Sequence, residues 1–210
     1  MKYFCLNIET AADRRAHCEN EFAKAGIDVQ FVNAFEAARN NVRYIHDGFR
    51  PGHLGCYISH LQLIQEICRY DHGPSMIFED DVRLMDGFQE KLGTAMLTLP
   101  ADWDMAVVGW WPAHWDYSRI SSAPVNGHWI QISSGRIWGC YCYVVNGRKG
   151  ADNVMQVLQP ITDHLDEALY GAVKDGKITA YFLAEPLARW EEGFPSQTWG
   201  GKVPDLSMYK

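Results

Sequence analysis

Short apolar runs alternating with longer amphipathic stretches limit what this chain can fold into. "YFCLNI" (3–8), "VQFVNAF" (29–35), "SMIF" (75–78), "DMAVVGWW" (104–111), "IWGCYCYVV" (137–145) and "ITAYFLAEP" (178–186) have the length and flanks of strands, most of them buried. Between the first two, "TAADRRAHCENEFAKAG" (10–26) sets Ala16, Phe22, Ala23 and Ala25 among charges and stops at Gly26, a helix C-terminal signal. "LGCYISHLQLIQEICRY" (54–70) places Tyr57, Leu61, Ile64 and Cys68 on one helical face, widened by Ile58 and Ile67. "NNVRYIHDGFRPG" (40–52) is polar and turn-rich, so a loop is expected there. "NGRKGADNVMQVLQ" (146–159) opens with turn residues and continues as a helix. Strands divided by helices predict an α/β fold with a mostly parallel central sheet flanked by helices, with room for antiparallel additions. A length of 210 residues fits one such domain, with residues 190–210 as an irregular tail.

Charge and cysteine usage narrow the function classes. A formal net charge of -7 argues against nucleic acid as a partner, because nothing would draw the chain broadly to phosphate backbones. The opening "MKYFCLNIET" is too short in its apolar part for a signal peptide, and no segment approaches the length of a membrane span. A soluble, cytoplasmic protein is expected, with at most peripheral membrane contact. The six cysteines lack paired C-x-x-C spacing, which favours core residues over a cysteine-rich zinc site. Cys140 and Cys142 lie in a strand-like run, where alternate residues share a face.

Chemistry concentrates behind "SMIF", where Glu79, Asp80 and Asp81 follow one another. Ligands bind beyond the carboxyl ends of strands in open α/β sheets, and three adjacent carboxylates repel one another unless something positive offsets them. A divalent cation does so economically. In Glu79-x-Asp81, on an extended segment, both side chains address one site while Asp80 turns aside to bond backbone or a supporting group. Such hard oxygen ligands suit Mg²⁺ or Mn²⁺. A solvated acidic turn, or the start of a helix in "VRLMDGFQEKL", is the other reading of the same acids.

"HLGCYISHLQLIQEI" followed by "SMIFEDDVRL" resembles the glycosyltransferase family 25 pattern, a G-C-x-x-S-H helix before a strand ending in E-D-D. "YFCLNIE", "DRR", "DWDMAVVG", "WGCYCYVVNGRKGADNVM" and "PITDHLDEAL" resemble further family segments in the same order, so that the resemblance covers roughly residues 3–198. The chain departs from the pattern after the first strand, where Thr10, Ala11 and Ala12 precede Asp13, Arg14 and Arg15. The resemblance implies a GT-A-like fold and an inverting transferase. It implies transfer of a sugar, galactose above others, from a UDP-sugar to a hydroxyl of a glycan, lipid-linked glycan or protein. Glu79 and Asp81 are then the metal candidates. Asn7, Arg14, Ser59, His60, Asp80 and Gly139 are the candidates around the donor.

Inversion needs a base for the acceptor proton. Asp163 and Asp166 are the candidates, at a spacing that shares one helical face, and Asp163 fits the motif distance from Pro160 better. First-turn acids favoured by the helix dipole are the alternative for both. Trp110, Trp111 and Trp115 offer aromatic faces to a sugar or pack in the core, and Trp190 and Trp199 flank a segment that could form a flap. Two further functions remain open on the residues alone: a non-catalytic nucleotide-sugar or carbohydrate-binding module, and a metal-dependent phosphoryl-transfer enzyme.

Overall fold

β1 (Lys2–Asn7) forms where Tyr3-Phe4-Cys5-Leu6 supplies an apolar run, and its last four residues are buried. The structure is a computed structural model that describes residues 1–40, 49–112 and 116–195. α1 (Ala12–Ala25) ends as expected at Gly26, whose φ of 68° lets its N–H and that of Ile27 turn back to the carbonyls of Ala23 and Phe22. β2 (Gln30–Asn33) follows. α2 (Pro51–Tyr70) starts earlier than the apolar pattern predicts. Its proline sits where a missing N–H costs nothing, and so the helix takes in the end of the stretch read as a loop, the rest of which lies largely outside the described residues.

The remaining elements are β3 (Pro74–Glu79), β4 (Val82–Leu84), α3 (Phe88–Met96), β5 (Met105–Pro112), β6 (Ser121–Pro124) and β7 (Trp129–Ser134). β8 (Ile137–Asn146), α4 (Gly147–Val157), α5 (Leu165–Lys174), β9 (Ala180–Leu183) and β10 (Ala188–Trp190) complete the chain order. Among the described residues one eight-stranded sheet has the order β2-β1-β3-β8-β5-β9-β7-β6. β7 and β8 run against the rest, so the sheet is α/β in kind, with the antiparallel additions the pattern allowed. β10 pairs with β4 in a separate ribbon.

Each face of the sheet carries its own core. Ile77 points to a cluster with Tyr57, Ile64 and Ile67 of α2, Val154 of α4 and Leu169 of α5. Its neighbours Met76 and Phe78 point to the other, with Cys18 and Phe22 of α1 and Leu92 of α3. Burying each large side chain of this kind stabilises the fold by roughly 1.5–3 kcal/mol. The alternation fails on both sides of one irregularity, between Val108 and Trp110 in β5 and in the facing stretch of β8. Tyr141 and Cys142 both join the α1 side while Cys140 joins the α2 side, so the two cysteines do not share a face. Register slips between β5 and β8 around Gly109 explain it: a bulge re-aims Cys140 toward α2.

Gly55 and Ser59 of α2 clamp the chain as it leaves β2. Ser59 Oγ donates to the Gly55 carbonyl (2.6 Å) and accepts the Phe35 N–H (2.8 Å), while a Cβ on Gly55 would lie 2.7 Å from the Phe35 carbonyl oxygen. The first prediction follows: Gly55→Ala lowers unfolding stability by about 1–3 kcal/mol, read from urea denaturation, because backbone must move to admit the methyl. An unchanged midpoint would mean that this contact is not tight.

Candidate functional site

The carboxyl ends of β1 and β3 lie side by side, with Leu6 opposite Glu79. Asn7 and Glu79 therefore close adjacent strands at one edge of the sheet. β3 stops at Glu79, and Asp80 and Asp81 form the turn into β4. The extended geometry that would aim Glu79 and Asp81 together ends one residue too soon. Asp80 and Asp81 turn instead toward a common partner, Arg14, in the first turns of α1.

Arg14 is buried, and its Nη2 donates to Asp81 Oδ2 at 2.5 Å. Its Nε lies 2.7 Å from Asp80 Oδ1, off the hydrogen-bond line, so that contact is an ion pair without an aligned bond. Asn7 Nδ2 donates to the other oxygen of Asp80 (2.8 Å), and the Phe194 ring lies 5.3 Å from the Arg14 guanidinium carbon. Asp80 is thus held by two side chains, Asn7 and Arg14. Arg14, expected to contact the donor, is here the counter-ion of two acids.

One guanidinium does not neutralise three carboxylates. Burial pushes the Asp81 carboxyl up to about 7 against the pull of Arg14, with Glu79 and Asp80 adding to the rise. Burial likewise raises Asp80, while Arg14 and the Asn7 bond oppose it. Asp81 Oδ1 is buried with no hydrogen-bond partner among the described residues. Glu79, partly exposed, turns toward α2, its Oε1 lying 3.2 Å from His60 Nε2 and 3.8 Å from Cys56 Sγ. His60 is buried, its Nδ1 bonded to the Tyr143 hydroxyl at 2.8 Å.

Of the predicted residues, the fold gathers Asn7, Arg14, His60, Glu79, Asp80 and Asp81. Ser59 lies beside them in sequence, but its hydroxyl is committed to backbone. Gly139, at φ 88°, belongs to the irregular stretch of β8; a Cβ there would meet the Tyr141 ring at 2.6 Å. Its N–H reaches Asp166 Oδ2 at 3.3 Å. Asp166 is half-buried, its pKa raised by burial, and its charge bears on Cys56 and Cys140, which also feel Glu79. Asp163 is exposed and accepts the adjacent His164 N–H (2.8 Å). α5 begins only at Leu165, so Asp163 and Asp166 do not share a helical face.

The tryptophans divide. Trp110 is core, its indole N–H on the Leu183 carbonyl (2.8 Å), whereas Trp111 stacks on Tyr141 at 4.9 Å and lies 6.4 Å from Trp190. Trp115 and Trp199 lie outside the described residues. Sequence reasoning missed Cys56, although its spacing of four from His60 on a helix was the available signal.

Fold and site together define an α/β protein with an acidic cluster at the carboxyl ends of two parallel strands, where sheets of this class take ligands. Residues 1–169 match the family described as "Glycosyltransferase family 25 (LPS biosynthesis protein)", and the chain belongs to that family. It is 26% identical over 125 residues to procollagen galactosyltransferase 1-A of Xenopus laevis, covering 50% of this chain and 20% of that protein. It is 34% identical over 125 residues to the "probable inactive glycosyltransferase 25 family member 3" of Rattus norvegicus, covering 50% of this chain and 22% of that one. The matched segment thus spans about a fifth of these relatives' length. Among solved structures, a glycosyltransferase involved in glycosylation of the PBCV-1 major capsid aligns with a TM-score of 0.49 at 8% identity, over 90% of this chain and 91% of that one. No helix among the described residues is long and apolar enough to cross a membrane.

Proposed function

We propose that this chain is an inverting, metal-dependent glycosyltransferase that moves a sugar, galactose before others, from a UDP-sugar to a hydroxyl of a glycan, lipid-linked glycan or protein. The carrying observation is the buried Asp81 Oδ1, without a partner among the described residues, in an acid cluster that Arg14 neutralises only in part. Three carboxylates against one guanidinium leave a residual charge of about two, which a divalent cation matches in charge and in preference for hard oxygen. Asp81 would hold Mn²⁺ or Mg²⁺ through its Oδ1, with Glu79 joining it by turning its side chain away from His60 and Cys56, and such an ion supplies charge neutralisation on a leaving diphosphate. Asn7 and Arg14 hold Asp80 and, through the guanidinium, Asp81 in place.

The base for the acceptor proton is assigned to Asp166 rather than Asp163, because burial raises its proton affinity and it sits on the side of Cys56, Cys140 and Glu79. Asp166→Asn is expected to slow transfer about 10²- to 10⁴-fold with UDP affinity nearly unchanged, and Asp163→Asn to do neither. Single-turnover transfer and UDP titration of both variants check this. Equal losses in the two would remove the assignment.

A second reading is supported by the 34% identical relative whose printed name calls it probably inactive: a module that binds a nucleotide sugar without transferring it. UDP release from a panel of UDP-sugars with added Mn²⁺, followed by acceptor pools, separates the two. Binding without release would favour the module.

A further inference from the structure

We propose that Cys56, His60 and Glu79 form a second and softer metal site, which takes Zn²⁺ through one thiolate sulfur, one imidazole nitrogen and one carboxylate oxygen. The ion and two of the three donors differ from those of the proposed donor-metal site; Glu79 is shared.

Geometry carries the inference. One donor atom from each of the three residues lies within 4.8 Å of the others. Zinc bonds of about 2.0–2.1 Å to nitrogen or oxygen and about 2.3 Å to sulfur place tetrahedral ligand atoms roughly 3.4 Å apart for nitrogen and oxygen, and roughly 3.6 Å apart for sulfur and oxygen. The corresponding separations are 3.2 Å (His60 Nε2 to Glu79 Oε1) and 3.8 Å (Cys56 Sγ to Glu79 Oε1). Small side-chain adjustments would admit the ion.

The surroundings are those of a metal ligand. His60 is 1% exposed, and its Nε2 is buried without an aligned hydrogen bond. Its other ring nitrogen, Nδ1, is bonded to the Tyr143 hydroxyl and the ring stacks on that of Tyr143, which fixes the ring's orientation. The Tyr143 hydroxyl can also accept from Nδ1–H, the tautomer that a metal on Nε2 would require, so binding would move the Nε2 proton off the side that faces Glu79. Cys56 and His60 are one helical turn apart on α2, and Glu79 closes β3, so two rigid elements hold the three donors. Burial keeps the Cys56 thiol protonated in the absence of metal, and binding would release that proton. Three protein donors leave a fourth tetrahedral position for water or a ligand group. Because Glu79 serves both sites, Zn²⁺ here would withdraw it from Mn²⁺; this consequence alone rests on the transferase reading.

Co²⁺ titration of the metal-free chain tests the site by absorbance, with no transfer assay. A thiolate-to-cobalt charge-transfer band is expected, bleached by Zn²⁺, lost in Cys56→Ser, and retained in Tyr143→Phe with affinity about 10- to 100-fold weaker. Absence of the band overturns the proposal, and so does a band that survives Cys56→Ser, since the thiolate would then be another, such as Cys140. If Cys56→Ser fails to fold by circular dichroism, X-ray absorption of the Zn²⁺-loaded wild type decides. One sulfur at about 2.3 Å supports the site, and a shell without sulfur overturns it. A chain that binds Co²⁺ this way yet transfers no sugar would leave the zinc site standing and remove the transferase; the reverse result would do the opposite.

Discussion

Asp81→Asn is expected to lower Mn²⁺-dependent turnover of the UDP-sugar at least about 100-fold while leaving the melting temperature close to that of the wild type. The rate loss comes from removing a carboxylate that would hold the cation, whose charge stabilisation in the transition state is worth several kcal/mol at about 1.4 kcal/mol per factor of ten. Stability should survive, because the amide is isosteric and its oxygen can still accept the Arg14 Nη2 bond that Asp81 Oδ2 accepts now. Removing one of three mutually repelling acids also offsets what the weaker bond to Arg14 loses. Steady-state kinetics across a Mn²⁺ series, beside a thermal melt, check both halves. Wild-type turnover in the variant would remove Asp81 from the chemistry, and a collapsed melt with normal specific activity in the folded fraction would make it a structural residue only.

Arg14→Met should do the reverse, with the larger effect on folding. The guanidinium is the cation in contact with Asp80 and Asp81, and its side chain is 8% exposed. Breaking a buried pair by deleting one partner costs about 3–5 kcal/mol, because the charges left behind have neither water nor counter-ion. Methionine fills much of the volume, so the loss reports charge more than packing. The variant should also gain more melting temperature from Mn²⁺ than the wild type does, since a ligand that binds only the folded state stabilises it in proportion to its affinity, and that affinity rises when a positive neighbour is removed. Calorimetry with and without Mn²⁺ measures both effects. A loss below about 1 kcal/mol would show that the acids are solvated well enough to need no counter-ion.

The sequence made the central strands and helices legible because they are buried on one face or both, and burial writes itself as apolar period. β1, β3, β5, β8 and α1 lie within a few residues of their expected bounds. β6 escaped because its side chains are exposed, and β7 because only Trp129 and Ile132 of its six residues are buried. The acid cluster was legible as a place but not as an arrangement. Arg14 and Asp81 are 67 positions apart, and nothing local says that a helix after β1 will deliver a guanidinium to the end of β3. Whether Asp163 or Asp166 faces the site depended on where α5 begins, and helix starts are set by the whole packing of the preceding segment rather than by the acids themselves. The bulge that parts Cys140 from Cys142 is marked in the sequence by Gly139 alone, a glycine inside a strand pattern that reads equally as a bulge or as a close backbone approach to a ligand.

The position of β8 has a consequence for how the chain reaches this state. It lies between β3 and β5, the one strand joining β2-β1-β3 to the half that begins with β5, and it is made from residues 137–146. Until those residues arrive, Met76 to Phe78 and Met105 to Val108 present unpaired, apolar backbone edges that no other described strand covers in the final order. Such edges template association between chains, and pairings this distant in sequence form slowly. A nascent or truncated chain ending before Ile137 should therefore be prone to self-association, and chaperone demand during synthesis should fall once β8 has emerged.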